Sequence, residues 1–257
     1  MAKCALAKND TVYSFGPIIH NPQAVNRLTE RGLKVVKDVD RAKTGTLLVP
    51  SHGMTPSLLG RARKRNISIV DATCPKVINS QKLAKALSDK GFFVVIVGER
   101  NHPEVKSLKG FAKDSVVIEN KADAVRFSTK NRNIGIIVQT TQSEVNFFTI
   151  LSELVKKNFE KIEILNTLCR DTLRRQKEAG DLARNSDVVF VVGGKESANT
   201  KRLFEICKKF TKAYHVQTGV DIKKELLNGA KRICIVSGTS TPNWIISSVA
   251  KKIESFI

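Results

Sequence analysis

Three histidines, one glutamate, two cysteines and a set of serines and threonines are the residues of this chain whose type and setting could do chemistry. His20 lies in Gly16-Pro17-Ile18-Ile19-His20-Asn21-Pro22, His52 in Ser51-His52-Gly53, and His102 in Asn101-His102-Pro103-Glu104. A single loop histidine is ordinarily just solvated, but three at comparable loop positions suit phosphate contacts or acid–base work. His215, in the run Ala213 to Val216, reads instead as a packed strand residue. Glu104 is one of few acids in an otherwise basic set of loops, and a carboxyl held in a partly desolvated site can deliver protons. On the residues alone, the reading as an acid at the start of its own helix, favoured by the helix dipole, stands slightly ahead. Cys74 stands between Thr73 and Pro75 at a strand-to-helix turn. Cys169 stands in Asn166-Thr167-Leu168-Cys169-Arg170, just before a helix carrying Arg174, Arg175 and Gln176. Cysteine at a helix N-terminus readily becomes the thiolate that ligates metal or attacks a substrate. The two are far apart in the chain, so no local Cys-x-x-Cys motif identifies a metal. If they converge they could ligate an iron–sulfur cluster, although a cubane normally takes more than two protein thiolates.

These residues need elements to position them, and the hydrophobic pattern supplies strands alternating with helices. Apolar runs predict strands over Thr46–Val49, Ile67–Val70, Phe92–Val97, Val116–Ile118, Ile134–Val138, Val188–Val192, Ala213–Val216 and Ile233–Val236. Amphipathic stretches between them include Pro75–Lys90, Ser143–Lys157, Thr172–Asn185, Lys201–Phe210 and Pro242–Phe256. The alternation implies an α/β protein with parallel sheets covered on both faces. No Pro/Gly-rich linker divides the chain, which favours compact units packed together. Five strand ends run into short loops rich in hydroxyl or glycine residues that open a helix. Among them, Gln139-Thr140-Thr141 follows Val138, Gly193 to Thr200 (with Ser197 and Asn199) follows Val192, and Ser237 to Pro242 (with Ser240) follows Val236. Serine and threonine are common helix N-caps, so one such loop means little. Several together point to a shared anionic ligand, because ligands of parallel α/β sheets sit at carboxyl strand ends where helix N-termini offer free N–H groups. None of the loops matches a P-loop or a Gly-x-Gly-x-x-Gly fingerprint, so a nucleotide is not indicated.

Composition narrows the class. The 257 residues are 41% hydrophobic and 26% charged, ordinary for a globular protein able to bury a core. The longest apolar runs are strand-sized, and Met1 to Asp10 has no signal-peptide core, so a cytoplasmic protein with no membrane partner is expected. Five cysteines, an odd number, argue against a disulfide framework. Cys207 and Cys234 read as small core residues. The formal charge of +20 attracts anions, but the basic residues are scattered over nearly every helix, without a tail or aromatic interleaving. The pattern does not call for nucleic acid.

In order and wording, these loops resemble those of the LytB family, which reduces 4-hydroxy-3-methylbut-2-enyl diphosphate at the end of the methylerythritol phosphate route to isoprenoids. The matching stretches run from Gly16–Pro22 through Ser51–Gly53, Asp71–Pro75, His102–Val105, Gln139–Thr141, Cys169 with Arg175-Gln176, and Val192–Asn199 to Ser237–Pro242. The resemblance implies three similar α/β units with small, mostly parallel sheets in a trefoil around a central cavity: residues 1–74, 75–165 and 166–257. It implies a [4Fe-4S] cluster held by three cysteines, Cys74 and Cys169 among them, with one iron open to the substrate's hydroxyl. His20, His52, Ser197, Asn199 and Ser240 would hold the diphosphate. Glu104 would supply protons, with Thr140 and His102 orienting substrate and proton path. An acidic electron donor of the ferredoxin or flavodoxin type would suit the charge, and the protein would be a monomer or homodimer.

The chain departs from the family's pattern at its start. The family begins with a strand and a Gly-Phe-Cys turn bearing the first cluster cysteine, whereas Met1 to Leu6 resembles the end of the helix that follows. Cys4 matches a helix position well past that ligand and does not replace it. The expectation is that the first unit lacks its N-terminal strand, turn and part of a helix because the start lies at an internal methionine. The alternative is an inactive fragment, or an α/β protein that binds anions or nucleic acid without a stable cluster. Ala198, and Arg170-Asp171 after the cysteine, are smaller departures.

Overall fold

A computed structural model of the chain describes residues 1–7, 11–65 and 67–257. Its elements follow one another as α1 (Ala2–Leu6), β1 (Val12–Phe15), α2 (Pro22–Thr29), β2 (Leu33–Val36), β3 (Thr46–Val49), α3 (Pro56–Arg63), β4 (Ser68–Asp71), α4 (Pro75–Asp89), β5 (Phe93–Val97), α5 (Pro103–Lys109), β6 (Ser115–Ile118) and α6 (Lys121–Arg126). Then come β7 (Asn133–Val138), α7 (Glu144–Leu154), β8 (Lys161–Leu165), α8 (Arg170–Arg184), β9 (Val188–Val192), α9 (Ala198–Cys207), β10 (Lys212–Val216), β11 (Ile233–Ser237) and α10 (Asn243–Glu254). Among the described residues no helix is long and apolar enough to cross a membrane.

The strands form three small, wholly parallel sheets with one recurring topology. The orders are β2-β1-β3-β4, β6-β5-β7-β8 and β10-β9-β11. In each sheet the first strand lies inside, the second pairs on one side of it and the third on the other. A reversal of this kind leaves a crevice at the carboxyl ends of the first and third strands, where parallel α/β sheets bind ligands. In the first two sheets a fourth strand adds beside the third.

The inner strands β5 and β9 are continuous apolar runs because helices cover both of their faces. Val94 to Val97 of β5 and Val189 to Val192 of β9 have no exposed surface. Truncating a residue such as Ile137 to alanine should cost about 2–5 kcal/mol. Edge strands differ: Leu33-Lys34-Val35-Val36 and Lys161-Ile162-Glu163-Ile164-Leu165 mix polar with apolar residues. These two and β1 are strands that the apolar-run reading does not contain. Elsewhere the expected strands recur, with β4 running one residue later at each end than Ile67–Val70.

The described residues fall into two compact units. One comprises Met1–Ile18 and Arg27–Cys169, with the first two sheets; the other comprises Ile19–Asn26 and Arg170–Ile257, with the third. Cys4 lies exposed on α1, as its helix-like sequence suggested. Cys207 is buried, and Cys234 lies in β11 against the same core.

Candidate active site

The residues singled out by chemistry gather at the three crevices. In the first sheet β1 and β3 flank the crevice, and the Ser51-His52-Gly53 loop follows β3. In the second, β5 runs toward His102 and Glu104, and β7 runs into Thr140. In the third, β9 runs into Ser197 and Asn199, and β11 into Ser240. The cysteines stand after the fourth strands: Cys74 three residues past β4, Cys169 four past β8.

Within the first unit, backbone hydrogen bonds tie the cysteines to the loops. The carboxylate of Asp71, last residue of β4, accepts the Thr73 N–H at 2.9 Å and the Thr73 hydroxyl, closing a tight turn. That turn delivers Cys74 to the start of α4, where its N–H donates to the Ser51 carbonyl at 2.9 Å. His52 follows directly and is buried, and Gly53 adopts φ +79°, a conformation few other residues tolerate. Thr167 is buried and accepts the Val138 N–H at 3.0 Å, fixing the stretch after β8 against β7. The Cys169 N–H then donates to the Thr140 carbonyl at 2.9 Å. Both thiols are partly exposed and free of disulfides.

Thr140 in turn holds Glu104. Its N–H donates to Glu104 Oε1 at 2.7 Å and its hydroxyl to Oε2 at 2.8 Å. Glu104 is only 3% exposed. Burial pushes its carboxyl up to about 7, against the two Thr140 hydrogen bonds that favour the ionised form. Such a carboxyl is half-protonated near neutral pH, suited to giving and regaining protons. Glu104 does stand in the first turn of α5, as the helix-start reading had it, and it is buried there as well. His102 caps α5, its Nδ1 accepting the Glu104 N–H at 3.2 Å. Nδ1 is therefore unprotonated, and the ring's proton sits on Nε2.

In the second unit His20 lies beside the glycines that follow β9. A Cβ on Gly194 would collide with the His20 carbonyl, so glycine is what lets the two loops meet. Burial holds the His20 imidazole below its ordinary pKa despite nearby Glu196. Ser197 caps α9, its Oγ accepting the Thr200 N–H at 3.3 Å, which leaves its hydroxyl proton to donate. Asn199 is buried, and neither its Oδ1 nor its Nδ2 meets a hydrogen-bond partner among the described residues. A buried amide unsatisfied at both ends is costly, and ligand oxygens or donors would relieve it. Ser240 is half-buried in a turn closed by the Thr241 N–H on the Gly238 carbonyl at 3.0 Å.

One positioning residue escaped the sequence reading. His215, half-buried in β10, places Nε2 3.1 Å from the Gly193 carbonyl, while the Gly193 N–H donates to Val216 at 2.9 Å. The end of β10 thus clamps the loop that opens α9. Burial lowers the His215 pKa, so Nε2 donates as the N–H of a neutral ring. The residues Ala213 to Val216 alone could not disclose this, since the bond depends on β10 pairing with β9.

Taken together, three parallel α/β sheets whose crevices carry histidines, hydroxyls, an amide and a buried acid, with thiols at two further strand ends, define an α/β enzyme of the LytB class. The LytB protein profile matches residues 1–254, and the chain belongs to that family. Among its relatives are proteins named 4-hydroxy-3-methylbut-2-enyl diphosphate reductase. That of Geobacter metallireducens is 41% identical over 255 residues, covering 99% of this chain and 90% of that protein. That of Trichlorobacter lovleyi is 37% identical, covering 99% and 91%. A solved structure of (E)-4-hydroxy-3-methyl-but-2-enyl diphosphate reductase, the terminal enzyme of the non-mevalonate pathway, matches with a TM-score of 0.73 at 36% identity, covering 99% of this chain and 92% of that one. The corresponding reductase from Plasmodium falciparum shares the fold, with a TM-score of 0.91 at 23% identity.

LytB enzymes are iron–sulfur proteins, and two donors here fit such a group. Cys74 and Cys169 are partly exposed thiols in one compact unit, each at the start of a 15-residue helix. A third is not found with them: among the described residues no group of three His, Cys, Asp or Glu residues converges.

Proposed function

We propose that the chain is an oxidoreductase that removes the hydroxyl of 4-hydroxy-3-methylbut-2-enyl diphosphate, giving isopentenyl and dimethylallyl diphosphate. Two electrons and two protons enter, the allylic C–O bond breaks, and water leaves. The observation that carries this reading is Glu104, a buried carboxyl poised near neutrality and held at both oxygens by Thr140. In a family whose relatives are diphosphate reductases, that is the group needed to protonate a departing hydroxyl and then an allylic carbon.

Cys74 and Cys169 would hold an iron–sulfur cluster of the [4Fe-4S] type, which supplies electrons and an open iron site when bound. His20, His52, Ser197, Asn199 and Ser240 bind the diphosphate, with imidazole, hydroxyl and amide donors suited to its oxygens. His102, protonated on Nε2, and Thr140 orient the substrate and carry protons to and from Glu104. An acidic carrier of the ferredoxin or flavodoxin type delivers the electrons, consistent with the +20 charge. The ranges 1–74, 75–165 and 166–257 are taken as the three repeating units, since each holds one sheet of the recurring topology.

The test is product analysis after anaerobic reconstitution with iron and sulfide. With a chemical reductant, the substrate should yield both five-carbon diphosphates. Diphosphate binding without any reduction, in protein shown to hold iron and sulfide, would overturn the reading.

A further inference from the structure

A cavity of about 350 Å³ opens in the first compact unit, on the side of the Ser51-His52-Gly53 loop that meets α3 and α5. Its walls are largely apolar, with Phe15, Met54 and Leu58 prominent, and His52 contributes to them. Two exposed lysines, Lys37 and Lys106, also line it. The lysine ion pairs of the described residues involve Lys85, Lys90, Lys121, Lys156 and Lys201, which leaves these two ammonium groups uncommitted. The volume suits one small organic molecule. The apolar walls favour a hydrocarbon chain, and two free cations match the charge of a phosphate-type head better than a lone carboxylate.

We propose that this cavity is a second binding site, for a soluble amphiphilic phosphate ester. Its apolar chain lies against Phe15, Met54 and Leu58, and its head group is held by Lys37 and Lys106. Two elements that the occupant touches also carry candidate active-site residues: the loop bearing His52, and α5, in which Lys106 follows Glu104 by two residues. Occupancy therefore modulates turnover. Only this regulatory consequence rests on the reductase reading; the binding itself does not.

Geranyl diphosphate is a suitable probe, titrated calorimetrically into the full chain with excess inorganic diphosphate present to fill the diphosphate loops. Binding should persist under that competition. Lys37→Glu and Lys106→Glu, at exposed positions that do not threaten folding, should each weaken it at least tenfold, whereas the exposed control Lys251→Glu should change it less than twofold. Geraniol, lacking the head group, should bind at least tenfold more weakly. Complete displacement by inorganic diphosphate would overturn the proposal, as would equal losses in all three variants or binding only to vesicles of anionic phospholipid. If titration succeeds while reconstituted protein turns over no substrate, the reductase reading fails and the second site stands.

Discussion

Thr140 gives its N–H to one carboxylate oxygen of Glu104 and its hydroxyl to the other, at 2.7 and 2.8 Å, inside a buried pocket. One residue thus holds both lone-pair faces of the acid, and its own carbonyl accepts the Cys169 N–H. Acid and thiol are set relative to each other through a single backbone position.

The first consequence is a pH profile. If Glu104 donates the protons, turnover falls as the carboxyl ionises, with a midpoint near 7 in wild type. Thr140→Val removes the hydroxyl bond, which favours the ionised form, and keeps the N–H bond. The alkaline limb should therefore move to higher pH. An unmoved limb would remove Glu104 as the titrating group.

A second consequence concerns stability. Burial raises the Glu104 pKa from 4.5 to about 7, so the folded state binds this proton more tightly than the unfolded chain does. Its contribution is fully present below pH 4.5 and lost as pH rises through about 7, a change on the order of 3 kcal/mol for one fully buried carboxyl. Glu104→Gln does not ionise and should lose none of it. Urea unfolding at pH 5 and pH 8 should show the wild type losing this increment relative to the variant. Equal losses in both proteins would contradict the raised pKa.

The meeting of Gly194 with the His20 carbonyl carries a third. Gly194→Ala must push the two loops apart, at a cost of about 1–3 kcal/mol. Because both loops are assigned to the diphosphate, KM should rise about tenfold or more with kcat changed less. An unchanged KM would detach them from substrate binding. His215→Ala, which releases the Gly193 carbonyl, should act in the same direction but more weakly.

The cysteines give a fourth. Cys74→Ser and Cys169→Ser should each lower bound iron and acid-labile sulfide after anaerobic reconstitution, whereas Cys207→Ser, in the buried core, should leave both unchanged. Equal metal content in all three variants would refute the ligand assignment.

Much of this was legible in the residues because buried parallel strands are written as unbroken apolar runs, such as Val188 to Val192. The strand-end loops then fall at predictable places. Strands β2 and β8 were not legible for the complementary reason: at a sheet edge, lysine and glutamate interrupt the apolar pattern. Strand β1, only four residues long and including Tyr13 and Ser14, escaped in the same way although it lies inside its sheet. The candidate residues were legible by type, but their relations were not. That Thr140 grips Glu104 and that His215 clamps Gly193 depend on which strands are neighbours. The order β2-β1-β3 and its repeats create that information, and no local pattern contains it.

The most direct measurement compares steady-state reduction of 4-hydroxy-3-methylbut-2-enyl diphosphate by reconstituted wild-type and Glu104→Gln proteins matched for iron and sulfide. Glu104 as the proton-carrying group predicts that wild type forms both five-carbon diphosphates while the variant binds substrate but turns over about 100-fold more slowly or less. Equal rates from the two proteins would contradict it.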